Sequence, residues 1–168
     1  MVNEAAYSFG SPDNARRYAT EVLLDDKSVL TSVHGIIVSD VPLVVVGAGG
    51  GPSGVHPRSM LRLGNILYFA VGAYVCRLTL GNEELDWSLK TDDATCFGIY
   101  YSEQHDALIS HGELEISRFT ADGHLLWAAS GADIFSEGIS LTEDVITVID
   151  FDQRIYHFEY STGTERRA

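Results

Sequence analysis

The sequence predicts an all-β protein, and three observations lead to that fold class. Apolar runs of about five to eight residues alternate with turn residues along most of the chain. Almost no segment has the 3.6-residue period of an amphipathic helix. Segments beginning at Gly98 and Gly138 resemble each other and lie 40 residues apart, as do Trp87 and Trp127. A period of about 40 residues with about four strands per unit is typical of propeller blades, so we expect a β-propeller-like array of about three to four blades in a small or incomplete ring.

The composition of each run indicates where its strand lies. The most apolar runs are expected to form inner strands buried on both faces; they are residues 43–46, 66–71, 107–109 and 145–149. Mixed runs at 74–78 and 155–160 are expected nearer a sheet edge. The predicted units cover residues 58–90, 98–129 and 138 to the end, with a further irregular unit over 20–50.

Residues 1–19 are expected to form an N-terminal segment before a single repeat domain of residues 20–168. Ser11 followed by Pro12 is typical of a helix start and predicts a short helix over 12–18. The first residues include neither a basic nor an apolar leader region. No apolar run approaches the ~20 residues that span a bilayer. We therefore expect a cytoplasmic protein without a membrane partner.

The charge balance indicates which partners suit this chain. Lys and Arg number 11 against 24 Asp and Glu, a formal net charge of −13. The negative electrostatic field of such a protein repels phosphates, which argues against nucleic acid and anionic membranes as partners. It steers a basic partner toward the protein, so a basic protein is the expected partner.

The ends of the units carry a family resemblance. Trp127 follows Gly123 by four residues and Trp87 follows Gly81 by six, while the segment 148–163 ends in Thr-Gly. Residues 58–165 thereby resemble the repeat of PQQ-like, or quinoprotein-like, β-propellers, which ends in Asp-x-x-Thr-Gly-x-x-x-Trp. The enzymes of that family are longer and use a vicinal cysteine pair and a calcium site, and neither can be matched here. The resemblance implies the fold, and we expect no cofactor.

The aromatic and sulfur residues give two further expectations. A flat indole can fill the gap between adjacent blades, so Trp87 and Trp127 are expected to be largely buried at equivalent places. Cys76 and Cys96 lie in apolar segments without CxxC spacing. Two buried free thiols are expected, with a disulfide between neighbouring strands as the alternative. Zinc is disfavoured because no His or Cys pair has ligand spacing.

A glycine-rich segment over residues 47–54 invites a nucleotide-binding interpretation. Gly49, Gly51 and Gly54 fit the spacing GxGxxG, with Ser53 between them. A dinucleotide site needs a helix at this point and a carboxylate about 20 residues later. Pro57 opposes the helix and residues 69–72 contain no carboxylate. We expect instead a mobile connector or a binding loop at the propeller rim.

Two classes of function follow. The first is a non-enzymatic protein-interaction module with a basic partner, because propeller faces present many loops on a rigid scaffold. The alternative is a small-ligand-binding protein or a hydrolase-type enzyme, with His111, Asp150 and Asp152 lining a site on the propeller axis. These residues fall at expected turns, where polar side chains also occur without chemistry. An incomplete ring would expose strand edges and favour a homodimer.

Overall fold

The computed structural model describes residues 1–166, in which fifteen β-strands form four sheets and the only helical turn is Lys27–Val29. Sheet I contains β1 (Val2–Asn3), β2 (Thr20–Leu23), β3 (Ser32–Val38) and β4 (Val41–Ala48), in the spatial order β1-β3-β4-β2. Sheet II contains, in spatial order, β5 (Met60–Leu63), β6 (Ile66–Val71), β7 (Tyr74–Thr79) and β8 (Trp87–Lys90). Sheet III contains, also in spatial order, β9 (Cys96–Ser102), β10 (Ala107–Gly112), β11 (Glu115–Phe119) and β12 (Leu125–Ser130). Sheet IV contains β13 (Gly138–Leu141), β14 (Ile146–Ile149) and β15 (Ile155–Phe158).

The four sheets confirm an all-β, propeller-like array. Sheets II, III and IV correspond to the three predicted units, and sheet I is the irregular one. Neighbouring strands are antiparallel except β2, which runs parallel to β4. The sheets form no closed ring within the described residues. Residues 167–168 of the predicted repeat domain lie outside those residues.

Three apolar layers hold the sheets together in the order I, II, III, IV. The layer between sheets I and II includes Val44, Val46, Phe69 and Leu78. The layer between sheets II and III includes Tyr68, Val75, Leu108 and Phe119. The layer between sheets III and IV includes Ile109, Ile116, Val148 and Phe158. Because side chains alternate along a strand, sheets II and III each supply apolar residues to two layers.

The predicted inner strands are β4, β6, β10 and β14; the last three are the second strands of sheets II, III and IV, and β4 lies between β3 and β2 in sheet I. The central residues of β4, β6 and β10 are buried on both faces. Strand β14 differs, because Thr147 and Ile149 are half-buried while Ile146 and Val148 are buried. The expectation of two buried faces is wrong for β14, since within residues 1–166 no further sheet lies on the outer face of sheet IV. Ile155, beside Ile149 in the ladder, is 58% exposed on the same face.

The predicted helix over 12–18 is wrong, because these residues form turns and bends. The segment instead lies over the outer face of sheet I, where Tyr7 and Phe9 pack with buried Tyr18 against Val33 and Val45. The rings of Tyr7 and Tyr18 are 5.7 Å apart. The segment spreads these aromatic side chains over the sheet, and a compact helix does not form.

The two tryptophans occupy equivalent positions at the outer edges of sheets II and III, as predicted. Trp87 Nε1 donates to Ala121 O at 3.0 Å, and Trp127 Nε1 donates to Tyr160 O at 2.9 Å. Both residues are largely buried, as expected, although neither is fully enclosed. They lie on outer strands, where only one side of the ring meets the next sheet.

A glycine of the following unit lies under each indole. At Gly123 (φ 82°) a Cβ would come within 2.7 Å of the Trp87 ring, and at Gly163 (φ 69°) within 2.6 Å of the Trp127 ring. Both positions therefore require glycine for two reasons, a left-handed backbone and the close approach of a ring.

Replacing Gly163 by alanine should be more destabilising than replacing Gly64. Gly64 has a similar φ of 62°, but no atom lies within 4 Å of its Cβ position. Gly64→Ala should cost about 1–2 kcal/mol through backbone strain. Gly163→Ala should cost about 1–3 kcal/mol more, because the methyl group meets the indole. Urea unfolding of both variants measures the difference, and equal losses would contradict the packing of Trp127 on this turn.

Candidate functional site

The connections between strands lie at two ends of the sheet stack. The crossover end contains the loops between sheets, residues 49–59, 91–95 and 131–137, and the hairpin turns at 72–73, 113–114 and 150–154. The turn end contains residues 39–40, 64–65, 80–86, 103–106, 120–124, 142–145 and 159–164. The predicted site residues all lie at the crossover end.

Hydrogen bonds join the successive connections of the crossover end. Asp25 Oδ2 accepts from Gly49 N at 2.8 Å, and Ser53 Oγ accepts from Gly72 N at 2.9 Å. The buried Asp92 accepts through Oδ2 from the N–H groups of Leu114 and Glu115, both at 2.9 Å. In each case a polar side chain holds the turn or loop that follows, which fixes the sheets relative to one another.

The glycine-rich segment belongs to this bonded region. Gly47 and Ala48 are the last residues of β4, so the predicted connector begins only at Gly49. Gly51 N donates to Ala94 O at 2.9 Å, and at Gly50 (φ 91°) a Cβ would collide with the backbone of that residue. The first part of the loop is thus held against residue 94, which does not suit a mobile connector. Gly54 alone has open space around its Cβ position.

Ser53 brings together residues that are distant in sequence. Its hydroxyl donates to Ser32 Oγ at 2.9 Å and accepts from Gly72 N. His34 Nε2 lies 2.9 Å from the same oxygen. In the tautomer that donates from Nε2, His34 completes the hydrogen bonds of the Ser53 hydroxyl, whose own proton is directed to Ser32 Oγ. Burial lowers the pKa of the His34 ring.

The surroundings of His34 argue against nucleophilic catalysis. The side chain is fully buried, and its Nδ1 has no hydrogen-bond partner among residues 1–166. A catalytic histidine needs an orienting partner at that nitrogen and an exposed path to substrate. The contacts of Ser32, His34 and Ser53 therefore serve to connect β3 to the β6–β7 turn.

His111 lies at the end of β10 and is buried. Its Nε2 donates to Phe135 O at 2.9 Å, and its ring meets that of Phe97 edge-on at 5.5 Å. Burial lowers the pKa of the imidazole to about 4, so it is neutral near pH 7. No hydrogen bond joins it to Asp150 or Asp152 in the described residues.

Asp150 and Asp152 meet on one arginine. The fully buried Asp150 lies 3.3 Å from Arg154 Nη1, and Asp152 lies 2.8 Å from Nη2. Asp150 also accepts from Tyr156 OH at 2.8 Å. Burial opposes ionisation of Asp150, but hydrogen bonds from Arg154 and Tyr156 outweigh it and lower the pKa. Arg154 thus offsets one of the two negative charges, and of the two carboxylates only the exposed Asp152 reaches solvent.

Sequence reasoning missed Ser32, His34 and Asp92 as structural residues. An isolated polar residue inside an apolar strand, such as His34, is a usable signal for a buried hydrogen bond. Its partner Ser53 could not be identified, because they are 19 residues apart. Within residues 1–166 no three His, Cys, Asp or Glu side chains come close enough to hold a metal ion.

The turn end has a different character, because its acidic side chains are exposed. Eight exposed carboxylates belong to its turns: Asp40, Glu83, Glu84, Glu103, Asp106, Asp122, Glu143 and Asp144. None of these eight forms an ion pair within residues 1–166. Asp86 of the same turns differs, because its side chain is only 18% exposed and lies 3.5 Å from Arg77.

Solved structures share the fold. The computationally designed Ika4 protein aligns with a TM-score of 0.55 at 10% identity, over 71% of this chain and 79% of that one. The designed Ika8 protein aligns at 0.57 and 10% identity, over 85% and 46%. The WD40 β-propeller domain of Doa1 aligns at 0.53 and 14% identity, over 88% and 53%. The chain thus spans about half the length of the last two.

Sequence comparisons add no family. No family model matches the chain. No curated protein matches it in sequence either. No helix within residues 1–166 has the length and apolar character needed to cross a membrane. The likeness to known proteins is therefore a likeness of fold.

The buried His111 should make stability depend on pH. Because its pKa falls from about 6.5 in the unfolded chain to about 4 in the fold, its full contribution is present above pH 6.5. That contribution is lost as the pH falls toward 4. Between pH 7 and pH 5 the free energy of unfolding should drop by on the order of 2 kcal/mol through this group.

Urea unfolding at both pH values measures this effect. In His111→Gln the decrease in the free energy of unfolding between pH 7 and pH 5 should be smaller by about 2 kcal/mol. This holds whatever the stability of the variant at pH 7. His124→Gln, at an exposed turn residue, should keep the wild-type drop. An unchanged drop in His111→Gln would show that the imidazole is not held neutral.

Cys76 and Cys96 should react slowly with a thiol reagent in the native protein. Both thiols are free and buried, as predicted. Burial raises the pKa of Cys96 to about 12 and raises that of Cys76 as well, so neither forms the reactive thiolate near pH 7. Labelling should be rapid only in urea. Fast reaction of both thiols in buffer would contradict their burial.

Proposed function

We propose that this chain is a non-enzymatic protein-interaction module whose turn end binds a basic partner protein. The observation that carries the proposal is the set of eight exposed carboxylates on one end of the sheet stack. Their turns lie side by side because the strands of sheets II, III and IV are aligned in the stack. A surface of one sign steers an oppositely charged partner and fixes its orientation.

The turns that carry these charges are held in place, which supports a binding role. His105 Nε2 contacts Glu143 O at 2.7 Å, and its ring stacks on that of Tyr160 at 3.9 Å. Arg118 donates from Nη1 to Tyr160 O at 2.8 Å. These contacts join the turns of sheets III and IV. A surface that is already ordered loses little conformational entropy when a partner binds.

The alternative function, a small-ligand-binding protein or hydrolase-type enzyme with an axial site, receives less support. His111 uses Nε2 to bind a backbone carbonyl, and Asp150 is enclosed by Arg154 and Tyr156. Each of these polar groups already has a structural partner. The charge distribution therefore favours the interaction module.

The proposal extends to the kind of repeat and to its setting. We infer PQQ-like repeats because Trp127 follows Gly123 at the family spacing and packs on the Gly163 turn of the next unit. A cytoplasmic setting is consistent with two free thiols. A homodimer, joined through the uncovered face of sheet IV, is also part of the proposal. Phe151, 61% exposed, and Ile155 are the apolar side chains that such a dimer would cover.

Reversing charges at the turn end should weaken binding to a basic probe. The double variant Glu83→Lys, Glu143→Lys changes two exposed turns of sheets II and IV. The matched control Asp93→Lys, Glu137→Lys makes the same charge change at exposed residues of the crossover-end loops. Titration of a fluorescent oligolysine at low salt should give about tenfold weaker binding for the first variant.

The control should lose much less affinity. Its net charge changes by the same amount, but its substitutions leave the turn end intact. Raising the salt concentration should reduce the difference between them, because exposed charges are screened. Equal weakening in the two variants would mean that binding follows net charge, and the turn end would not be the interaction surface.

A further inference from the structure

An apolar groove lies at the turn end between sheets I and II. Its cavity volume is about 310 Å³, within the range of sites that hold a small molecule or a side chain. The buried side chains of Ile36 and Leu67, 1% and 4% exposed, form its floor. Half-buried Met1, Met60 and Leu80 form its sides. The groove therefore offers a preformed apolar surface beside the acidic turns.

The methionine content of the groove is unusual for this chain. The sequence contains two methionines, and both line the groove. Methionine has an unbranched, polarisable side chain that adapts to different apolar partners, and it is over-represented at binding surfaces of broad specificity. The presence of both methionines in the groove indicates a surface that can accommodate a side chain of a partner.

The charges around the groove select the kind of partner. The turn after Ser39, which lines the groove, contains Asp40, and the loop after Leu80 contains Glu83 and Glu84. All three carboxylates are exposed, and none forms an ion pair in residues 1–166. Two basic groups of the described residues line the groove, the α-amino group of Met1 and Arg62, whose Nε donates to Gly64 O at 2.9 Å. The excess of negative charge suits a cationic segment.

We propose that this groove binds a large apolar side chain of the partner, presented by a segment whose neighbouring residues are Lys or Arg. This inference rests on the proposed function and names the chemistry of its contact. The apolar side chain enters between Met1 and Met60, while the flanking cations lie near Asp40 and Glu83. The acidic turns then supply attraction and orientation, and the groove supplies contact area.

The two methionines allow a direct test, because a protein labelled with ¹³C at the methionine methyl groups reports on the groove alone. Three probes are titrated: a peptide with two central leucines flanked by lysines, the same peptide with central serines, and octanoate. The leucine peptide should shift the Met60 methyl signal and bind about tenfold tighter than the serine peptide, the range expected for burying one apolar side chain.

Variants assign this difference to the groove. Met60→Gln and Leu80→Gln should each remove the preference for leucine. Two variants are used so that one still tests the groove if the other does not fold. Leu126→Gln, at a residue 52% exposed on β12, should retain the preference. Peptide fluorescence measures binding to every variant, including those that lack the Met60 signal.

The outcomes separate this inference from the proposed function. If both peptides bind equally and Glu83→Lys, Glu143→Lys still weakens them, the groove is not the contact and the acidic interaction surface stands. If neither peptide binds, both proposals are overturned. A Met60 shift with octanoate but not with the leucine peptide would overturn this inference, since the groove would then bind an amphiphilic anion beside Arg62.

Discussion

Face-to-face burial of successive sheets is the constraint on which the rest of the structure depends. A sheet of short strands has two faces, and one neighbour can cover only one of them. On β7, Val75 faces sheet III and Cys76 faces sheet I, and both are fully buried. Sheets II and III are therefore stable only within the stack, and their strands must be apolar on both sides. The alternation of apolar layers also explains why similar units repeat along the chain.

The stack needs a second type of contact to fix the relative orientation of its sheets, because apolar burial is not directional. At one end, Asp25, Ser53 and Asp92 accept backbone N–H groups from the following connection. At the outer edge, Trp87 and Trp127 donate to carbonyl groups of the next unit. Polar residues of the crossover end are thus used for assembly. The carboxylates of the turn end are largely free of such bonds, which is why that end is the better candidate for recognition.

The two terminal sheets of the array differ in how their outer faces are covered. The aromatic residues of the N-terminal segment cover the outer face of sheet I, where the Tyr18 ring lies over Gly35. Sheet IV has three strands and an uncovered outer face. Within residues 1–166 the array therefore has one covered terminal sheet, sheet I, and one uncovered terminal sheet, sheet IV. Under the proposed function, the turn end would contact the partner and the outer face of sheet IV would contact a second copy.

The sequence by itself determined the strands and their grouping, because period-two alternation and turn residues are local properties. It also determined the 40-residue spacing of the tryptophans and the acidic character. It favoured two free thiols over a disulfide, and the structure confirms them. Contacts between distant residues were decided only by the tertiary structure. The parallel pairing of β2 with β4, the Ser53–His34 contact and the groove containing both methionines depend on how sheets I and II meet. The incorrect prediction of a helix over 12–18 also reflects tertiary contacts. Its local start signal was outweighed by burial of aromatic side chains on strands β3 and β4, which follow in the sequence. Local patterns encode elements, whereas the positions of polar partners and grooves depend on the packing of those elements.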